Sequence, residues 1–213
     1  MKIENLSVKY GSISVFSNFN LNVEDGQVTC LLGASGVGKT TLLNHILSVA
    51  KNSDKKVSIA FQEPRLFEHL TVYENLKILG FCGDKILNAL NKVGLENCVK
   101  KYPSHLSGGE KQRVNFVRAL LGEFDVLLLD EPFSSLDVKL KLSLIDLLVS
   151  KTKGKTVIFV THDVEEALML SNRVVLIKDG KILLDHTIWQ DLNAREWGKL
   201  DKDRQILLNA QLL

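Results

Sequence analysis

Apolar and polar residues alternate along KIENLSVKY, residues 2–10, and again along ISVFSNFNLNV, residues 13–23, with Gly11–Ser12 between them. A period of two sends successive side chains to opposite faces, so both stretches read as half-buried strands joined by a turn. QVTCLLG, 27–33, is a short buried strand ending in Gly33, and KKVSIAFQ, 55–62, is another; from Lys39 to about Val49 the spacing is helical. Residues 63–124 hold no convincing strand and show helical periods at TVYENLKILG, at DKILNALNKVG and after Ser107. DVLLLDEP, 125–132, and TVIFVTH, 156–162, are continuous apolar runs, the pattern of parallel strands buried on both faces. VKLKLSLIDLLVSKT and VEEALMLS read as helices. Asp179–Gly180 between two apolar runs in RVVLIKDGKILLDH predicts a hairpin. The tail, 188–213, is mixed and reads as helical, with REWGKLDKDR a solvated helix. Strands alternating with helices predict an α/β fold. Its sheet is mainly parallel with an N-terminal antiparallel β edge. A helical sub-domain at about 63–124 is inserted into a core of about 1–62 and 125–187.

Composition narrows the classes. Apolar residues make up 45 % of 213, enough for one packed domain and against disorder. The net charge of +2 is spread, with no basic patch interleaved with aromatics, so no nucleic-acid partner is expected. Cys30, Cys82 and Cys98 are odd in number and far apart, the usage of reduced thiols in a cytoplasmic chain. Cys30, inside an apolar run, reads as a small core residue. No apolar stretch approaches the roughly 18 residues of a membrane span, and the alternating N-terminus is no signal peptide.

Two stretches carry chemistry. Gly33-Ala34-Ser35-Gly36-Val37-Gly38-Lys39-Thr40, followed by Thr41, fits G-x-x-x-x-G-K-[ST] between a buried strand and a helix. Glycines let the backbone wrap a diphosphate with N–H groups inward, Lys39 reaches the β- and γ-phosphates, and Thr40 ligates Mg²⁺. Asp130 and Glu131 end the strand DVLLLDEP at the ligand edge of an open α/β sheet. Asp130 suits the metal and Glu131 suits work on a water. His162 ends a second buried strand at that same edge and is a candidate γ-phosphate contact. Asp163 with Glu166 fits a helix capping pattern and needs no other role. The second stretch is Ser107-Gly108-Gly109-Glu110, itself a capping box. Capping does not explain two glycines at the start of a helix, where they lower helix propensity. Close approach of another molecule's backbone or phosphate does.

LSGGEKQR, with GASGVGKTT before it and LLLDEP after it, resembles the ATP-binding subunit of an ABC transporter. The likeness covers residues 2 to about 187. It implies the P-loop NTPase core of the ABC ATPase fold, ATP hydrolysis with Mg²⁺, and a head-to-tail dimer, most simply of two copies of this chain. In that dimer Ser107, Gly108 and Gly109 of one copy would grip the γ-phosphate held by the other. It further implies that Tyr10 stacks on adenine and that Gln62, closing the strand KKVSIAFQ, contacts Mg²⁺. SSLD, 134–137, would cross the dimer interface through Asp137, although Asp137 could equally be only an N-cap. The implied partners are transmembrane permease subunits and, indirectly, a solute-binding protein, at the inner face of the cell membrane. QEPRLFEHLTVYENL and EPFSSLD resemble the nitrate, sulfonate and taurine importer group, with thiamine-precursor, metal and oligopeptide systems left open. Only about 23 residues separate Lys39 from Gln62, fewer than in many relatives, and a C-terminal regulatory domain of the sugar-importer kind is not expected.

Two other classes compete. A soluble ABC ATPase acting on DNA or ribosomes would carry long coiled coils or tandem ATPase domains. About 44 residues between Gln62 and Leu106 leave no room for a coiled coil, and each motif occurs once. A GTPase or small-molecule kinase would leave LSGGE unexplained, and NKVG at 91–94 lacks the Asp of a guanine-reading NKxD.

Overall fold

The computed structural model describes residues 1–81, 83–134, 136–189 and 199–212. Strands β1 (Lys2–Tyr10) and β2 (Ile13–Asn22) pair antiparallel as a sheet of their own. The larger sheet holds β3 (Val28–Leu32), β4 (Val57–Ala60), β5 (Val126–Asp130), β6 (Thr156–Thr161), β7 (Arg173–Lys178) and β8 (Lys181–Thr187), in the order β4-β5-β6-β3-β7-β8. Every pair in it is parallel except β7–β8, the hairpin expected at Asp179–Gly180. Both turn residues take positive φ there, as tight hairpin turns require.

Each central strand serves two cores, which explains the unbroken apolar runs. Cys30 and Leu32 of β3, Leu127 and Leu129 of β5, and Val157 and Phe159 of β6 face one cluster. That cluster also holds residues of α4 (Gly108–Leu121), α5 (Val138–Thr152) and α6 (Val164–Leu170). Leu31, Val126, Leu128, Ile158 and Val160 face the other, built with α1 (Lys39–Lys51) and the β1–β2 hairpin. Burial of this kind contributes about 25 cal/mol per Å² of apolar surface. Cys30 is wholly buried, as its apolar run predicts, and burial pushes its thiol well above the ordinary range. Cys82 lies outside the described residues.

Between β4 and β5 the described residues are helical or irregular, including α2 (Val72–Lys77) and α3 (Gly83–Lys92). Two expectations need correction. β4 stops at Ala60, so Gln62 stands two residues past the strand, in a loop. In the tail, α7 (Asp201–Leu212) is not a merely solvated helix: Leu200, Leu207 and Ala210 are buried. His186 Nε2 lies 2.6 Å from Asp203 Oδ1 and Arg204 Nη2 2.8 Å from Glu165 Oε2. These two polar pairs tie the helix to β8 and α6. Residues 195–198 of REWGKLDKDR lie outside the described residues. Among those described, no helix is long and apolar enough to cross a membrane.

Candidate nucleotide site

Parallel strands end together, and here that places the chemistry along one edge. Leu32 of β3 is in register with Thr161 of β6, and Asp130 of β5 with Val160. The residues that follow these ends are the glycine-rich loop, Glu131 and His162. Gly38 ends the loop at φ +98°, and a Cβ there would overlap Val15 and press on the Phe16 ring. A glycine is therefore required, and the β1–β2 hairpin forms the loop's floor. A cavity of about 260 Å³ lies above, lined by Ser35, Gly36, Gly38, Lys39, Thr40, Thr41, Gln62 and Glu131. Gly33, Ala34 and Val37 complete the loop, with Gly33 buried and Ala34 exposed.

Lys39 is 4 % exposed and donates from Nζ to the carbonyls of Gly33 and Ala34, both at 2.8 Å. Burial lowers its pKa, while Glu131 and Asp130 act to hold the charge. Asp130 is 3 % exposed; burial raises its pKa, against the hydroxyl of Thr40, which donates to Oδ1 at 3.2 Å. The two oxygens fit a hard cation, and Gln62 lines the cavity together with Thr40. Among the described residues no cluster of three His, Cys, Asp or Glu forms a metal cage. Mg²⁺ needs none, since it takes one or two protein oxygens together with substrate phosphates.

Glu131 has φ +46°, a left-handed conformation that a Glu rarely adopts. Its backbone is over-determined: N–H donates to Val160 O at 3.1 Å, and its carbonyl accepts from Ser134 Oγ at 3.0 Å and Gln112 Nε2 at 3.4 Å. Its Oε1 lies 3.7 Å from His162 Nδ1, so the carboxylate and the imidazole face one another. Sequence reasoning missed Gln112 and also Asn115, whose amide donates to Phe61 O at 2.8 Å beside Gln62. A signal existed: both are polar residues spaced i, i+3 on the buried face of α4.

Ser107 starts α4 with both halves of the expected capping box. Its Oγ accepts from Glu110 N at 3.2 Å, and Glu110 Oε2 accepts from Ser107 N at 2.7 Å. Ser107 and Gly108 are exposed, and nothing lies within 4 Å of a Cβ built at Gly108. Glu110 also accepts from the thiol of Cys98 at 3.1 Å. Asp137 caps α5, accepting from Leu140 N at 3.0 Å. Tyr10 is 61 % exposed at the end of β1, so it is not a core tyrosine. Asp163 caps α6, but Glu166 does not complete that box. Its carboxylate turns instead to Thr161 and Lys141.

A family model described as ABC transporter matches residues 16–134. The aliphatic sulfonates import ATP-binding protein SsuB 1 of Paracoccus denitrificans is 39 % identical over 200 residues, covering 87 % of this chain and 82 % of that protein. The thiamine import ATP-binding protein ThiQ of a Jannaschia species is 38 % identical over 213 residues, covering 87 % and 92 %. A solved dimer of the ATP-binding cassette MJ0796, in a post-hydrolysis state bound to ADP and Pi, superposes with a TM-score of 0.78 at 28 % identity, covering 89 % of this chain and 99 % of that one.

Proposed function

Because this chain belongs to the ABC transporter family of ATP-binding subunits, and so is an ATPase, we propose that it drives the import of a small solute such as nitrate, a sulfonate or taurine. The observation that carries the site assignment is the meeting, at one sheet edge, of the loop cavity, the Thr40–Asp130 pair and the facing Glu131 and His162. The backbone of 33–41 and the Lys39 ammonium bind and neutralise the phosphates of ATP, and Tyr10 stacks on adenine. Thr40, Gln62 and Asp130 would hold Mg²⁺, which would supply neutralising charge at the phosphate oxygens. Glu131 orients or deprotonates the attacking water, and His162 steadies the γ-phosphate. Phosphoryl transfer asks chiefly for positioning and charge stabilisation, which these groups supply.

Ser107, Gly108, Gly109 and Asp137 work on the nucleotide of a second copy. Support comes from the exposure of this helix start and from the relative solved as a dimer. Two copies dock on permease subunits at the inner face of the membrane, fed by a solute-binding protein. Mg²⁺ is the cofactor, with ATP as the substrate.

The test is affinity capture of tagged Glu131→Gln protein, with ATP, from detergent-solubilised membranes of its own cell. A polytopic membrane protein in stoichiometric yield supports the transport reading, and its companion binding protein points to the cargo. Recovery of soluble partners or ribosomes alone overturns it and leaves the hydrolysis standing.

A further inference from the structure

We propose that Lys141 is a positioning residue for His162, acting through Glu166 and Asp163 so that the loop after β6 and the start of α5 are held as one unit. The inference rests on the reading of His162 as part of the ATP-hydrolysing site. Glu166 is 5 % exposed, and a carboxylate so buried must be paired and hydrogen-bonded to stay charged. Its Oε1 lies 2.6 Å from Lys141 Nζ, and its Oε2 accepts from Thr161 Oγ1 at 2.5 Å. Thr161 Oγ1 in turn accepts from Asp163 N at 3.1 Å. Asp163 Oδ2 returns to Lys141 Nζ at 3.2 Å, while its Oδ1 caps α6 at Glu165 N, 2.8 Å. The residue before His162 and the residue after it therefore end on the same ammonium.

His162 depends on that frame. Its side chain is 57 % exposed, and Glu131, at 3.7 Å, lies beyond hydrogen-bond reach. The backbone on either side thus decides where the ring points. Lys141 stands one turn into α5, and its N–H donates to the carbonyl of Asp137 at 2.9 Å. Burial acts to lower the Lys141 pKa, but the bond and charge of Glu166, then of Asp163, outweigh it and raise the pKa above the ordinary lysine value. The ammonium therefore stays charged across the working range. A lysine that served only to neutralise Glu166 would not need to come from the helix that begins at Asp137.

The experiment is steady-state ATP hydrolysis by the full chain, with binding of a fluorescent ATP analogue measured in parallel. Lys141→Met is expected to lower kcat by about tenfold to a hundredfold, the scale of a misplaced group, with KM and analogue affinity unchanged. Lys141→Arg, which keeps the charge, is expected to restore kcat. The double variant Lys141→Met/His162→Ala is expected to be no slower than His162→Ala alone, because the lysine acts through that ring. Should Lys141→Met fail to fold, judged by its thermal melt, Glu166→Gln removes the ion pair with little change of shape and must show the same loss. A folded variant at wild-type kcat overturns the proposal. So does a loss confined to KM, or one that multiplies with His162→Ala. A wild-type chain that hydrolyses no ATP would overturn the underlying reading instead, and is seen without any variant.

Discussion

At the scale of single residues, the site combines groups whose environments differ sharply. Lys39 and Asp130 are buried where charge is costly, and each is held by a named neighbour, while His162 stands in solvent. Glu131 lies between them in a left-handed backbone, a conformation that costs on the order of 1–3 kcal/mol and persists only when its surroundings impose it. Glu131→Gln is nearly isosteric and keeps that backbone. It is expected to bind ATP as the wild type does and to lose about 10²–10⁴ in rate, the usual worth of a positioned base. Single-turnover kinetics beside equilibrium binding checks this, and a variant near the wild-type rate would remove Glu131 from the role of base. The meeting of these groups was legible, because the glycine-lysine-threonine spacing and the acids after an apolar run predict a loop and carboxylates at one sheet edge. The strain at Glu131 was not legible. It is held by Val160 and Gln112, distant in the chain, as well as by the nearby Ser134.

At the scale of elements, α4 shows how a local motif gains a tertiary tie. Ser107 and Glu110 cap the helix as their spacing predicts, but Cys98 adds a bond that no pattern announces. Ser107→Ala is expected to lower stability by about 1 kcal/mol, measured by urea unfolding. The Cys98 thiol, with the Ser107 backbone N–H next, holds the Glu110 carboxyl down to about 2 from its ordinary 4.5. A depressed carboxyl stabilises the fold above its unfolded pKa and loses that contribution as pH falls through its folded one. The gap in urea midpoint between wild type and Glu110→Gln is therefore expected to be full at neutral pH and to narrow from about 4.5 towards about 2. A gap that does not change with pH would show that the charge of Glu110 contributes nothing to stability. Glu166 is the converse case. Its spacing from Asp163 was readable as a second capping box, yet Lys141 and Thr161 draw the carboxylate away. A charged partner on another helix outweighs a local backbone bond, and sequence spacing alone does not reveal it.

At the scale of the whole molecule, the proposed head-to-tail pairing makes a prediction about mass. With ATP and Mg²⁺, Glu131→Gln is expected to sediment as a dimer, and adding Ser107→Arg, which places a bulky side chain at the exposed start of α4, is expected to return it to a monomer. A Glu131→Gln chain that stays monomeric at high concentration with nucleotide would count against the pairing. The alternation of strands and helices made the parallel sheet foreseeable, whereas the order of its strands was not, because nothing local says which neighbour a buried strand takes. That order shapes how the protein comes into being. Strand β3, which leads into the phosphate loop, is synthesised early, but its two partners are β6 and β7, so Val28 must wait for Val157 and Thr29 for Arg173. Contacts so distant in sequence close slowly, and β3 stays unpaired in the large sheet until β6 has been made. A chain halted at residue 155 is expected to bind no ATP analogue, although it carries the entire glycine-rich loop, Asp130 and Glu131. On the ribosome, the proposed nucleotide site can form only after β6 and β7 have been made.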